Sequence, residues 1–310
     1  MKSVKEYMDR IEMKYGSPYI QIPKNLIREL SDAMNEEDSI SYLAYANGLM
    51  IVNGFLYKYA HYIDLDHDDS IGMGNIKELL KYNPSNQALN KVSKKGGILD
   101  NNGFLEFTTD IPLRIVWESK RKPDSLETRK VITISDEDFY LKEMIYEKIL
   151  PSPNYRACIP SYMIDYGNKK GTLNDYKNTY TLTYSEFKYF LFNDNMTIRD
   201  LLFYCYLKSI QDKDGCASQS RETIQKYTGM SHVTVKKISD KLSKHKIITV
   251  SQEQGTSQFS ARPKKYQITK SFNKKMNIKK KSFVDNQKKQ RKTLTNGSTT
   301  TFREKFSKNI

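Results

Sequence analysis

Apolar residues recur along the chain in blocks, and the blocks come twice. PYIQIPKNLIREL (18–30) and TYTLTYSEFKYFL (179–191) each read as a short strand running into a helix. SISYLAYANGL (39–49) and TIRDLLFYCYL (197–207) each place a Ser or Thr N-cap candidate before an apolar helical stripe. LKYNPSNQALNKVS (80–93) then matches QKYTGMSHVTVKKIS (225–239), with a constant offset of 146 from Ser85/Ser231 to Ser93/Ser239. Each copy is expected to close with a β hairpin, ILDNNGFLEF (98–107) in the first and 247–268, around Gly255, in the second. Four blocks in one order predict a duplicated layout.

Between the copies, VITISDEDFYLKEMIYEKIL (131–150) predicts a strand and then a helix capped by Ser135. Asp136, Glu137 and Asp138 would favour that helix's positive end, and Pro151 and Pro153 stop it. CIPSYMIDYGNKKGTLNDY (158–176) predicts a hairpin. The expected divisions are therefore an N-terminal domain 1–115, an α/β connector 116–178, a C-terminal domain 179–270 and a tail 271–310. The tail is poor in apolar residues and rich in Lys, Asn, Ser and Thr, a composition expected to be disordered.

The pattern is sharpest in the second copy. Helices are expected over 197–210, 220–227 and onward from Ser231, with Ser220 and Ser231 as N-caps and Gly229 making the tight turn. At 100° per residue Val235, Ile238 and Leu242 share one side of the last helix. Val233, Lys236, Lys237, Asp240 and Lys244 fall opposite, with His232 at the exposed start. A helix anchored by three apolar side chains and presenting a basic face suits a major groove, whose base edges its first residues would reach. The matching helix of the first copy, expected over 85–95, would present Asn86, Gln87, Asn90, Lys91 and Lys94. Asn and Gln can pair bidentately with adenine, so that face could contact DNA; dimerisation or another protein contact is the rival role.

Charge agrees with this division. The net charge of +15 is unevenly placed: 1–115 holds 13 Lys/Arg against 16 Asp/Glu, 116–178 holds 11 against 10, 179–270 holds 15 against 8, and 271–310 holds 12 against 2. Such asymmetry points to a polyanionic partner for the last 132 residues, nucleic acid before an anionic membrane, because the tail's few apolar residues are scattered. NKKMNIKKKS and NQKKQRKT in the tail would lie along phosphates without selecting sequence.

TIQKYTGMSHVTVKKISDKL (223–242) resembles the helix-turn-helix of winged-helix DNA-binding proteins: Gly in the turn, Ser opening the second helix, Thr-Val followed by Ile. The resemblance implies an α+β chain of two winged-helix domains joined by the connector. It implies that Ser231, His232, Val233, Lys236, Lys237 and Lys244 approach DNA, and that Arg262, Lys264 and Lys265 near the wing meet phosphates. Pro84 replaces the usual turn residue in the first copy. The tandem arrangement resembles plasmid replication initiators and phage replisome organisers, which implies binding of origin repeats. A replicative helicase, another replication protein or a second copy of the chain would be further partners. A transcriptional regulator at an operator, or a partition or architectural adaptor, fits the same motif.

Enzyme chemistry is not expected. G-x-x-x-x-G-K-[ST], G-x-S-x-G and Cys-x-x-Cys are absent, as is the His-apolar-His pair of a rolling-circle nickase, so no ATPase, cofactor or catalytic metal is anticipated. HYIDLDHDD (61–69) holds cation-binding residue types but reads as an exposed acidic loop. Cys158, Cys205 and Cys216 lack metal-ligand spacing, and an odd count without an export signal fits free thiols in a cytoplasm. No run of about 18 apolar residues suggests a membrane span.

Overall fold

The computed structural model describes residues 3–34, 40–118, 128–164, 178–252, 263–269 and 272. It opens with a helix absent from the sequence reading, α1 (Val4–Tyr15). Ser3 and Glu6 form its capping box, and Val4, Tyr7, Met8 and Ile11 give it one buried stripe. The strand β1 (Tyr19–Pro23) and helix α2 (Leu26–Ala33) follow, then α3 (Ile40–Lys58), which is buried on every side from Leu43 onward. Next come a two-residue hairpin, β2 (Ile63–Asp64) with β3 (Asp69–Ser70), and α4 (Met73–Leu79). Two single turns, α5 (Asn90–Ser93) and α6 (Ile98–Asn101), and the strand β4 (Leu105–Thr108) complete the first copy's blocks.

A hairpin of β5 (Pro112–Glu118) and β6 (Thr128–Thr133) leads to α7 (Phe139–Met144), which continues as a π-helical turn over Ile145–Ile149. After β7 (Ala157–Pro160) the chain re-enters the description at β8 (Thr179–Thr183) and α8 (Tyr184–Phe192). Then follow α9 (Ile198–Ser209), β9 (Cys216–Gln219), α10 (Arg221–Thr228), α11 (His232–Lys244), β10 (Ile248–Gln252) and β11 (Lys264–Ile268). The class is α+β, with small antiparallel sheets.

The two halves are joined through their corresponding elements. Strand β1 pairs antiparallel with β8, placing buried Ile20 opposite Leu182 and Ile22 opposite Tyr180. Helices α3 and α9 pack together beneath this ribbon, with Leu80 and Ile198 closing over Gly48. A Cβ at Gly48 would lie 2.8 Å from Leu80 Cδ2 and 3.0 Å from Ile198 Cδ1, so a larger residue would force these two side chains to shift. Buried apolar residues from Val4 to Phe272 form one continuous cluster. The apolar character of α3 is thus accounted for by the core, and no described helix is long and apolar enough to cross a membrane.

Three local expectations are corrected. The 98–107 segment is no hairpin: Ile98–Asn101 is a helical turn, and β4 pairs with β7 across the chain. The Asp100 carboxylate accepts from Gly96 N–H and the Asn101 and Asn102 side chains donate to the Gly96 and Ile98 carbonyls, so polar side chains stabilise a turn here rather than a strand. Asp138, not Ser135, caps α7 by accepting from Leu141 N–H at 2.9 Å, while Ser135 is held in a 3₁₀ turn by the Asp110 carboxylate. The hairpin expected over 158–176 is, in its described part, β7 followed by the 3₁₀ turn Ser161–Met163; 165–177 lies outside the described residues.

Candidate nucleic-acid interface

Helix α11 owes its position to its sequence. Ser220 and Ser231 cap α10 and α11 by accepting from Thr223 and Thr234 N–H, and Gly229 between them is left-handed at φ 66°. Val235, Ile238 and Leu242 are buried, as is Ser239, which donates to the Val235 carbonyl. Strand β9 joins the β10–β11 pair to make a three-stranded antiparallel sheet in the order β10-β11-β9, with Ile247, Ile248 and Tyr266 buried behind the helix.

The other face of α11 is open. Ser231, His232, Lys236, Lys237, Asp240 and Lys244 are exposed, and Val233, a β-branched apolar side chain, is 63% exposed. Thirteen residues give this helix a length of about 20 Å. On the neighbouring sheet Lys265 is exposed and Lys264 half-buried; Arg262 and the Gly255 loop lie outside the described residues, as does the tail beyond Phe272.

Lys241, outside the basic face expected from the sequence, is about two-thirds buried. Its ammonium lies 2.7 Å from the fully buried Asp200 carboxylate of α9, whose same oxygen accepts from Thr197 N–H and Oγ. A signal existed in the chain: Thr197-x-x-Asp200 is a capping box that places a carboxylate at the start of α9. An open groove of about 570 Å³ runs beside this contact, between α11 and the first half, with Lys81, Arg199 and Lys237 along it. Lys81 is tied to the Asn193 and Met196 carbonyls, and Arg199 donates to Ser41 Oγ.

The first copy differs at the corresponding place. The helix expected over 85–95 is a 3₁₀ turn (Gln87–Leu89) and one turn of α5, which ends at Ser93 where Lys94 turns extended. In the turn that follows, Gly96 takes φ +76°, and a Cβ at Gly97 would sit 2.7 Å from the Lys91 carbonyl, so the turn is built on glycines. Buried Lys77 donates to the Asn86 carbonyl and to Asn90 Oδ1, each at 2.8 Å. Asn86 Oδ1 caps the turn at Ala88 N–H, and Asn90 Nδ2 donates to Gln87. Lys91 stands 4.3 Å over the Tyr42 ring, and Lys94 is exposed. The amides expected to meet bases are therefore bonded within the turn.

The 61–69 segment is no plain surface loop. His61 is buried, accepts Tyr7 O–H at its carbonyl and contacts the Tyr7 carbonyl through Nε2; Asp64 pairs with Arg10 at 2.8 Å. It fastens α1 to the core. Burial lowers the His61 pKa, and although burial raises that of Asp64, hydrogen bonds from Arg10 and His67 bring it below the ordinary carboxylate value. Comparison with protein families, curated proteins and solved structures returns no significant match.

Proposed function

We propose that the chain binds duplex DNA in a sequence-specific manner, through a winged-helix unit in its second copy, and serves as a replication initiator of a plasmid or phage-type element without an ATPase of its own. One observation carries the reading: α11 buries Val235, Ile238 and Leu242 while Ser231, His232, Val233, Lys236 and Lys237 remain exposed on the opposite face. In this reading α10 and α11 are the helix-turn-helix, and β10 and β11 flank a wing that carries Arg262, Lys264 and Lys265 toward phosphates. Polar groups at the helix start would read base edges, Val233 would meet a thymine methyl, and the lysines would hold the backbone.

Two features support an origin-binding role. The β1–β8 ribbon and the α3–α9 contact hold the two halves at a fixed spacing, as a reader of regularly spaced repeats requires. The tail's 12 Lys/Arg against 2 Asp/Glu would add affinity independent of sequence. The bound protein would then strain the duplex and present a replicative helicase with its loading site.

Footprinting on the DNA that flanks the gene, together with a plasmid-maintenance assay, tests this. Protection of direct repeats and maintenance dependent on the gene is the expected result. Protection of one short palindrome over the promoter, without maintenance, would assign a transcriptional regulator instead.

A further inference from the structure

Residues 1–115 carry more acid than base, yet two of their lysines meet an arginine of the connector at one place. Lys94 and Lys95, just after α5, and Arg156, just before β7, line a cavity of about 650 Å³ whose lining holds no Asp or Glu; the Asp100 carboxylate near Cys158 accepts from Gly96 N–H. All three are exposed, and among the described residues none of them makes an ion pair. Segments distant in sequence have been brought together to make this positive mouth.

The interior suits a ring. Phe107 and Tyr155 lie on its walls, the latter fixed by donating to the Ile71 carbonyl at 2.8 Å. Tyr62 and Cys158 are buried at the inner side, where the Tyr62 hydroxyl donates to the Cys158 carbonyl at 2.6 Å. Burial pushes the Cys158 thiol up to about 12, so it adds no negative charge at neutral pH. Asn75 and Asn154 add polar groups to the lining. The volume falls within the roughly 300–1,000 Å³ of small-molecule sites.

We propose that this cavity binds a phosphate-bearing ligand, with Lys94, Lys95 and Arg156 on the phosphate and a base or sugar ring against Phe107 and Tyr155. The phosphate comes either from a free nucleotide or from a nucleic-acid strand end. The site is separate from α11, and its nucleotide arm does not depend on the DNA reading.

The test uses the full chain and the double variant Lys95→Glu, Arg156→Glu, whose fold is checked by thermal melting because both side chains are exposed. Calorimetric titrations with ATP, pyrophosphate and adenosine are run beside anisotropy with a labelled short duplex carrying or lacking a 5′ phosphate. The expected result is binding of ATP or of the phosphorylated end that weakens at least about tenfold in the variant, with adenosine inert. ATP bound more tightly than pyrophosphate, with duplex affinity unchanged, assigns a free nucleotide. Loss confined to the phosphorylated duplex assigns a strand end. Binding of none of these probes, or equal binding by the folded variant, overturns the proposal. Failure of duplex binding that leaves ATP binding intact removes only the DNA reading.

Discussion

The Lys241 ammonium and the Asp200 carboxylate, 2.7 Å apart, bolt α11 to α9. Asp200 is wholly buried and Lys241 about two-thirds so, and the oxygen that receives the lysine also closes the α9 capping box. Removing one partner of such a pair leaves the other charged and shielded from water, which costs more than the pair's net worth. Lys241→Met should therefore lower unfolding stability by about 1–3 kcal/mol in urea titrations. A change within about 0.5 kcal/mol, the range of ordinary surface substitutions, would make this contact incidental.

Two neighbouring lysines on the same helix should behave in the opposite way. Lys236 and Lys237 are exposed and take part in none of the described ion pairs. Lys236→Ala with Lys237→Ala should leave the urea midpoint unchanged, weaken duplex binding, and lower the slope of log K against log salt by about 2. If a base contact is lost as well, discrimination should fall by roughly 1–3 kcal/mol. Unaltered binding by the folded double variant would remove α11 from the interface.

How far the chain itself revealed these arrangements depends on how local the determining interactions are. Ser220, Gly229 and Ser231 act within a few residues of themselves, so the turn and both caps could be read directly, as could the buried stripe Val235, Ile238 and Leu242. The first copy's shortened helix is not legible locally because Asn86 and Asn90 are held by Lys77, a buried amine ten residues upstream of Gln87. The pairing of β4 with β7, about 50 residues apart, leaves no periodic trace in either strand. Helix α1 is local in its determinants, with the Ser3/Glu6 capping box and the spacing of Val4, Tyr7, Met8 and Ile11; only the pairing of Arg10 with Asp64 and Asp69 is distant. The cavity beside Lys94 is likewise assembled from stretches far apart in the chain, from Asn53 to Cys158.

Phe272 determines where the basic tail begins. It is buried, edge-on to Tyr189 at 5.2 Å and to Tyr204 at 6.0 Å, so it belongs to the core even though it follows the last strand. A truncation that removes 273–310 should keep full stability while lowering DNA affinity by the same factor for all sequences, since all 12 tail cations lie beyond Phe272. Phe272→Ala should instead lower stability by about 3 kcal/mol, the cost of an emptied aromatic site. Loss of sequence preference in the truncated chain would give the tail a reading role that phosphate contacts do not supply.

Acid sensitivity should trace to Glu186. It sits buried at the third position of α8, accepting from Thr183 N–H at 2.7 Å and Thr183 Oγ at 2.9 Å, from Tyr204 O–H, and from Lys208 Nζ at 2.7 Å. Burial alone would raise its pKa, but the Lys208 charge and the converging hydrogen bonds outweigh it and hold the carboxyl below its ordinary value. The folded state therefore binds the proton less readily than the unfolded chain, whose Glu titrates near ~4.3. The resulting stabilisation is complete above that pH and is lost as pH falls through the lower folded value. Glu186→Gln should destabilise the protein by roughly 3 kcal/mol at neutral pH, because Lys208 loses its counter-charge. In urea titrations from pH 7 to pH 3, roughly spanning the carboxylate range, the gap between the parent and Glu186→Gln should narrow only at the acid end. A gap that stays constant down to the lowest pH would mean that Glu186 contributes through shape and not through its charge.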